Sequence, residues 1–510
     1  MNRRDNCQRG LFGNRSSGVL LHISCLPSRF GIGDFGSGAY RFADFLFRAR
    51  MRCWQILPLT PVNYRREYSP YNCMSAFAGN KYLISPDMML RAGYLTDHDL
   101  KDKPCFPKTR VDYTKVIRYK DRLFERAYER FCETKDKNKK YLLFCRSNDY
   151  WLSDFVLFLA LNKYLARKTW GDWPDRLKRR EQKTLGVFEK KFRKGVEQEK
   201  FLQFVFYEQW QQLKKYCTEK RIQIIGDMPI YVDFNSVEVW SHPDMFKLDK
   251  DRRSLFVSGV PPDYFSDTGQ LWGNPVYDWE IIRRTGYRWW VQRLAHSFRL
   301  FDYVRLDHFR GFMAYWQVPS RAKTAKNGKW IKAPGRHFLK TLRRRFPNLP
   351  LIAEDLGTIT PDVRDVIQQF DLPGMKVLLF AFTNNAATNP YLLHNHTKNC
   401  IVYTGTHDNN TVRGWFENEA SESEKKRLFA YLGKRVTVRK VHTEFVRLAM
   451  TSAANTAIIP MQDILGLDSS ARMNRPASIK GNWRWRLSPR FLTSSLAKRL
   501  RAMNTTYGRA

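Results

Sequence analysis

Four short apolar runs in this sequence each finish on an acid: IIGDMP at Asp227, YVRLDHF at Asp307, LIAEDLG at Glu354 and YTGTHDN at Asp408. If those runs are parallel strands closed into a barrel, their C-terminal ends meet on one face, where the catalytic groups of such barrels sit. Several carboxyl groups then share a pocket. Cleavage of a glycosidic bond needs two of them, one as nucleophile or base and one as a proton donor with a raised pKa. A single acid at a strand end is as readily a cap for the following helix, so the inference rests on four in register. Arg305 lies two residues before Asp307, on the same side of an extended strand, and is placed to keep that carboxylate ionised. His407, beside Asp408, offers a donor for sugar hydroxyls.

Tyr71 in SPYN, Tyr264 and Phe265 in PPDYFS, and Trp272 in GQLWGNP fall in stretches rich in Gly, Pro, Asn and Asp, and read as loop residues. Rings in loops above a barrel stack on the apolar faces of sugars while nearby amides take the hydroxyls. The alternative use of such rings is to pack the loops onto the barrel. Other motifs carry less. GIGDFG at 31–36 has the letters of a dinucleotide fingerprint, but it follows a Pro-Ser loop rather than a strand and lacks the acid expected about 20 residues on. HNH at 394–396 has no Cys, Asp or Glu nearby to complete a metal site and reads as solvated loop histidines. Ser16-Ser17 and Ser469-Ser470 have no histidine at a nucleophile-motif spacing.

The elements that must position the four acids follow from periodicity. Apolar runs at 18–24, 53–59, 222–232, 302–309, 350–357, 375–382, 400–409 and 457–463 read as eight strands, separated largely by segments of helical period such as 37–49, 201–217 and 289–298. Thr360 reads as the N-cap of a helix opened by Pro361. Strand–helix alternation predicts an α/β fold, and eight strands predict a (β/α)8 TIM barrel with largely helical subdomains inserted in its βα loops. The barrel is placed at 16–487, with insertions at about 63–200 (basic, helical), 233–285 (substrate loops) and 311–336. Residues 488–510 form a basic C-terminal tail or helix.

Composition limits the classes of function. The chain has 510 residues, with 88 Lys and Arg against 49 Asp and Glu, a net charge of +39. Aromatic residues make up 15% and hydrophobic residues 43%, which is the composition of a folded protein and not of a disordered polycation. Residues 101–200 contribute a net +13 and residues 471–510 a further +10. Nucleic-acid binding is one reading of that charge, but no RRM, zinc-finger or helix-turn-helix signature accompanies it, and a solvated basic surface is preferred. The longest apolar runs are strand-sized, well short of the ~18 residues of a membrane span, and the basic N-terminus lacks the apolar stretch of a secretory signal. The nine cysteines are scattered without a CxxC pair, which predicts a reduced, cytoplasmic protein with neither a disulfide framework nor a zinc site.

A longer set of strings carries a family resemblance. SGVLLHISCLPSRFGIGDFG, SPYNCMSAFAGNKYLI, GDMPIYV, GVPPDYFSDTGQLWGNPVYDW, VRLDHFRGF, IAEDLG, YTGTHDNNT, PMQDILGL and ARMNRPASIKGNWRWRL resemble, in family order from about residue 16 to 487, the 4-α-glucanotransferases of glycoside hydrolase family 77, the amylomaltases or disproportionating enzymes. The resemblance implies a retaining transferase acting on α-1,4-glucans, with no cofactor and no metal. It implies Asp307 as nucleophile, Glu354 as general acid/base and Asp408 as transition-state stabiliser. Arg305, His407, Ser69, Tyr71, Tyr264, Phe265, Gln270, Trp272 and Asn274 are implied to bind the glucan. The partners expected are donor and acceptor glucans, without specific nucleic-acid recognition or membrane attachment, in a monomer or simple homo-oligomer. Three departures stand out. Asn410 occupies a position where the family often has an acid, NSVEVW stands where DSADVW is common, and NRPASIKGNWRWRL adds basic residues. Two other readings remain open: an α-glucan hydrolase on the same barrel, and a catalytically silent polyanion-binding barrel protein.

Overall fold

The computed structural model describes residues 13–62, 67–166, 168–262, 267–383, 387–476, 478 and 480–510. Its strands, in chain order, are β1 (Ser16–Leu20), β2 (Cys53–Gln55), β3 (Gln223–Met228), β4 (Phe256–Val260), β5 (Gln270–Pro275), β6 (Tyr303–Leu306), β7 (Ala314–Pro319), β8 (Lys329–Lys332), β9 (Leu351–Ala353), β10 (Gly374–Val377), β11 (Cys400–Tyr403) and β12 (Thr456–Pro460). Eight of them form a parallel sheet in the order β10-β11-β12-β1-β2-β3-β6-β9. The remaining gap is bridged where the Ala353 N–H donates to the Pro373 carbonyl at 2.9 Å, bringing β9 to the start of β10. These are the eight runs read from the sequence. They were legible because a barrel strand is covered on both faces and therefore reads as an almost continuous apolar run; β11 and β12 are buried at every residue.

Helices Ser37–Arg48, Arg193–Glu219, Arg288–Leu300, Gly335–Arg345 and Pro361–Gln369 follow successive barrel strands on the outside. The β10–β11 connection departs from the alternation, since its described residues hold only single 3-10 turns. Thr360 does precede the helix opened by Pro361, but its side chain makes no capping hydrogen bond. Tight backbone approaches need glycine at two strand positions. A Cβ at Gly18 would lie 2.3 Å from the Cys53 carbonyl oxygen, and one at Gly226 would lie 2.2 Å from the Phe301 ring.

Between β2 and β3 the chain builds helices Tyr113–Cys132 and Lys139–Tyr164, which pack on Arg193–Glu219. Their seam is aromatic, with the Phe131 and Phe201 rings stacked at 4.4 Å. β4, β5, β7 and β8 form a second, antiparallel sheet in the order β5-β4-β7-β8. Trp272 lies on β5, so the loop read for it in the sequence is corrected to a strand. Gly and Pro at 273 and 275 masked the alternation that places Gln270, Trp272 and Asn274 on one face. At the other end of the chain, helix Ser494–Thr506 packs on the first outer helix. Arg509 behind it is fully buried, its guanidinium donating to the carbonyls of Met450, Ser16, Asn455, Ser452 and Ala454. Part of the basic excess is thus internal.

Candidate active site

The barrel's hydrogen-bond ladder continues past the ends of the strands and brings two acids side by side. The Asp307 N–H donates to the Met228 carbonyl at 3.0 Å, and the Glu354 N–H donates to the Leu306 carbonyl at 3.1 Å. Asp307, directly after β6, is therefore fixed to β3, and Glu354, directly after β9, is fixed to β6. Glu354 is held further by two backbone donors, His308 N–H to Oε2 at 2.7 Å and Leu356 N–H to Oε1 at 2.9 Å. The first of these needs His308 in the left-handed region, at φ 49°, a conformation costing a non-glycine residue on the order of 1 kcal/mol and one that clusters at functional sites.

Arg305 organises the charges from β6. It faces the same side as Asp307, as the two-residue spacing requires, and its Nη2 lies 3.0 Å from Asp307 Oδ1. Its Nη1 donates to both oxygens of Asp227 at 2.8 and 2.9 Å, and Nε lies 3.4 Å from the Met375 sulfur. Burial opposes the guanidinium charge, but Asp227 and Asp307 outweigh it and hold Arg305 well above its ordinary pKa. Asp227 is thus tied up: besides Arg305 it accepts the Tyr71 hydroxyl at 2.7 Å. Of the four strand-end acids it is the one spent on holding the others.

Burial raises the pKa of both Asp307 and Glu354 and Arg305 opposes this for each; Asp227 and Asp408 push Asp307 further up, and Asp307 does the same to Glu354. Of these two only Asp307 touches the guanidinium, which favours the negative charge on Asp307 and the retained proton on Glu354. An ionised carboxylate beside a neutral carboxylic acid is the arrangement a retaining glycosidic reaction requires. His308 is pulled down to about 4 by burial and by Arg310, so its ring is neutral beside them.

Asp408 sits on the loop after β11 and is held by different means. Its Oδ1 accepts from Asn474 Nδ2 at 2.6 Å, its carbonyl accepts from Arg472 Nη2 at 2.8 Å, and His407 Nε2 lies 3.4 Å from Oδ2. His407 is buried, which lowers its pKa against the pull of Asp408, and its ring stacks on Tyr71 at 5.0 Å. Trp483 flanks both rings at 5.8 and 5.9 Å.

The sequence-derived binding residues divide into three groups. Arg305, Tyr71 and His407 join the acids directly. Trp272 reaches them through His308, meeting its ring edge-on at 4.8 Å. Ser69, Gln270 and Asn274 shape their own segments: Ser69 Oγ accepts the Tyr71 N–H at 3.3 Å, Gln270 Oε1 accepts the Trp272 indole N–H at 3.3 Å, and Asn274 Nδ2 donates to the Val232 carbonyl at 3.1 Å. Tyr264 and Phe265 lie outside the described residues. Sequence reasoning missed Asn474, Arg472, Trp483 and His308; the first three belong to the ARMNRPASIKGNWRWRL string and His308 follows Asp307, but no spacing rule points to a contact across 66 residues, as between Asn474 and Asp408. The solvated reading of HNH is corrected for His396, which is buried between Ser452 Oγ at 2.7 Å and the Tyr391 carbonyl at 3.0 Å. Among the described residues no group of three or more His, Cys, Asp or Glu is placed to hold a metal ion.

A family model described as 4-alpha-glucanotransferase matches residues 21–493. The 4-alpha-glucanotransferase of Aquifex aeolicus is 46% identical over 476 residues, spanning 93% of this chain and 95% of its own. The chloroplastic/amyloplastic 4-alpha-glucanotransferase of Solanum tuberosum is 40% identical over 503 residues, spanning 97% and 86%. The fold matches that of the amylomaltase from Streptococcus agalactiae in complex with acarbose at a TM-score of 0.94 and 37% identity, covering 97% of this chain and all of that one.

Proposed function

The chain belongs to the 4-alpha-glucanotransferase family, and from that premise we propose how its own residues move a glucan segment between maltooligosaccharides. It is an enzyme of the amylomaltase or disproportionating type, acting on α-glucans within starch and glycogen metabolism. Asp307 attacks the anomeric carbon of the donor. A new C1–O bond forms to its carboxylate as the glycosidic C1–O4 bond breaks, and the departing O4 takes the proton from Glu354. An acceptor 4-hydroxyl then attacks the same carbon, gives its proton back to Glu354 and releases Asp307, so two inversions restore an α-1,4 bond. Asp408 and His407 bind hydroxyls of the distorted donor ring, Arg305 keeps Asp307 ionised, and Tyr71 and Trp272 with Ser69, Gln270 and Asn274 border the groove; the family resemblance adds Tyr264 and Phe265, outside the described residues, as glucan-binding groups.

One observation carries this reading: the ladder from β3 through β6 to β9 ends in two adjacent carboxyl groups, of which Arg305 touches one. Transfer in place of hydrolysis requires that the acceptor outcompete water for the intermediate. Incubation with maltotriose alone tests it. A ladder of longer chains with released glucose is expected, whereas glucose and maltose as the sole products indicate the hydrolase alternative. We place the enzyme in the cytoplasm as a monomer or simple homo-oligomer without nucleic-acid specificity. In support, among the described residues no helix is long and apolar enough to cross a membrane, and the eight described cysteines are unpaired.

A further inference from the structure

Asp408 lies on the loop after β11, between the buried His407 and Asn410. A cavity of ≈ 20 Å³ lies under the loop, lined in part by Thr406, His407, Asn409, Asn410 and Arg472. The Asp408 side chain is itself half-exposed, so hydrogen bonds do more than packing to fix its carboxylate. Those bonds converge on Arg472. Its Nη2 donates to the Asp408 carbonyl at 2.8 Å, its Nε to the Asn474 carbonyl at 2.7 Å and its Nη1 to Glu419 Oε1 at 2.9 Å. One planar fork thereby joins the loop that carries Asp408 to the residue whose amide holds its carboxylate. Glu419 is set in turn by Asn410, whose Nδ2 donates to the same Oε1 at 2.9 Å and to Ser469 Oγ at 3.1 Å, while its Oδ1 accepts the Thr411 N–H at 2.9 Å. Asn410 is buried, and Gly414 packs closely on its Oδ1, where a Cβ would collide.

We propose that Asn410, Glu419 and Arg472 form a positioning relay for Asp408, and that an amide at 410, where a carboxylate would be nearly isosteric, makes this hold independent of pH. The proposal rests on the reading of Asp408 as a donor-sugar residue. An amide N–H donates to the Glu419 carboxylate at any pH. A carboxylate in its place meets Glu419 at the same separation, and the pair then needs a shared proton, which a like charge makes harder to remove at first and which is lost as pH rises. The charged groups facing this cluster are Arg472 and Arg475, which repel each other, Asp408 beyond them, and the Arg413–Glu417 pair at 3.8 Å on helix Val412–Asn418. Behind the loop, Asp463 accepts the Val412 N–H at 2.8 Å.

Four variants of the full chain test this, with maltotriose disproportionation followed from pH 5.5 to 8.5. Arg472→Gln is expected to lower kcat by about 10- to 100-fold with little change in KM, as for a group misplaced by about an ångström. Asn410→Asp, nearly isosteric, is expected to keep parental kcat at pH 5.5 and to lose on the order of tenfold by pH 8.5 relative to the parent. Adding Glu419→Gln to Asn410→Asp removes the second carboxylate, so no proton has to be shared and the profile flattens, at a kcat below the parent's because the single atom at Oε1 can no longer serve both residue 410 and Arg472. A merely structural role would lower the melting temperature of Asn410→Asp without bending its pH profile. A profile of Asn410→Asp that overlays the parent's, or an Arg472→Gln variant with parental kcat, overturns the proposal. Asp408→Asn separates the two layers: parental turnover in that variant contradicts the role given to Asp408 itself, whereas its inactivity beside a fully active Arg472→Gln rejects the relay alone.

Discussion

Asp307 and Glu354 are held by the barrel, and Asp408 is held by its neighbours' side chains. The first two continue the main-chain ladder of β3, β6 and β9, with backbone N–H groups bonded to carbonyls of the adjoining strand. Asp408 belongs to a loop whose ties are Asn474, Arg472 and His407, and its side chain is 45% exposed against 27% for Asp307. The difference matches the demands on each. On the roles proposed above, the pair that makes and breaks bonds needs its spacing fixed before substrate arrives, which a closed sheet supplies through its main chain. A residue that grips the hydroxyls of a ring changing shape needs adjustable support.

The largest effects are expected on the strand-borne pair. Asp307→Ala and Glu354→Gln should each reduce transfer by roughly 10⁴-fold or more, because neither role has a substitute nearby; measured kcat for maltotriose checks both. Arg305→Lys comes next, with about a 100-fold loss of kcat, since an ammonium cannot span Asp227 and Asp307 as the guanidinium does. A smaller loss, about tenfold in kcat, is expected for Asn474→Ala, which frees the Asp408 carboxylate without touching the pair. If Asn474→Ala proves as damaging as Arg305→Lys, the contrast between a rigid pair and an adjustable third acid fails.

The same contrast has a pH signature. The pKa of Glu354 is raised by burial, so the proton it donates is present at low pH and lost as pH rises through that raised value. The basic limb of kcat/KM should accordingly lie well above the ordinary carboxylate range, and Asp408→Asn should shift it less than Arg305→Lys does. The smallest effect is expected from salt. Maltotriose is neutral, and the net +13 of residues 101–200 lies in the segment between β2 and β3, so KM should change by less than about twofold between low and high ionic strength.

How far the sequence discloses each region follows the same division. Strand-end acids were legible because apolar runs buried on both faces announce the strands, and the next residue is then at the mouth. Arg305 was legible because a two-residue spacing on a strand guarantees a shared side. The Trp272 strand was not, since Gly273 and Pro275 look like turn residues until β4 is beside them. Arg472 and Asn474 belong to a quoted family string, yet their contact with Asp408 joins the loops after β11 and β12 and depends on the pairing of those two strands, which no local spacing announces. The basic charge was only partly legible: Arg305, Arg486 and Arg509 are buried against carboxylates or carbonyls, which a count of charges cannot distinguish from surface.

Under the proposed mechanism Asp307 becomes covalently glucosylated while Glu354 carries the proton. A 5-fluoro-α-glucosyl fluoride, which slows both steps but breakdown more, should trap that ester; tryptic cleavage after Arg305 and Arg310 isolates the segment LDHFR. The account predicts a mass increase of one fluoroglucosyl unit on this peptide, located at Asp307 by fragmentation and discharged by added maltose. A label on Glu354 or Asp408, or a protein that turns over the fluoride while no peptide is ever labelled, would contradict it.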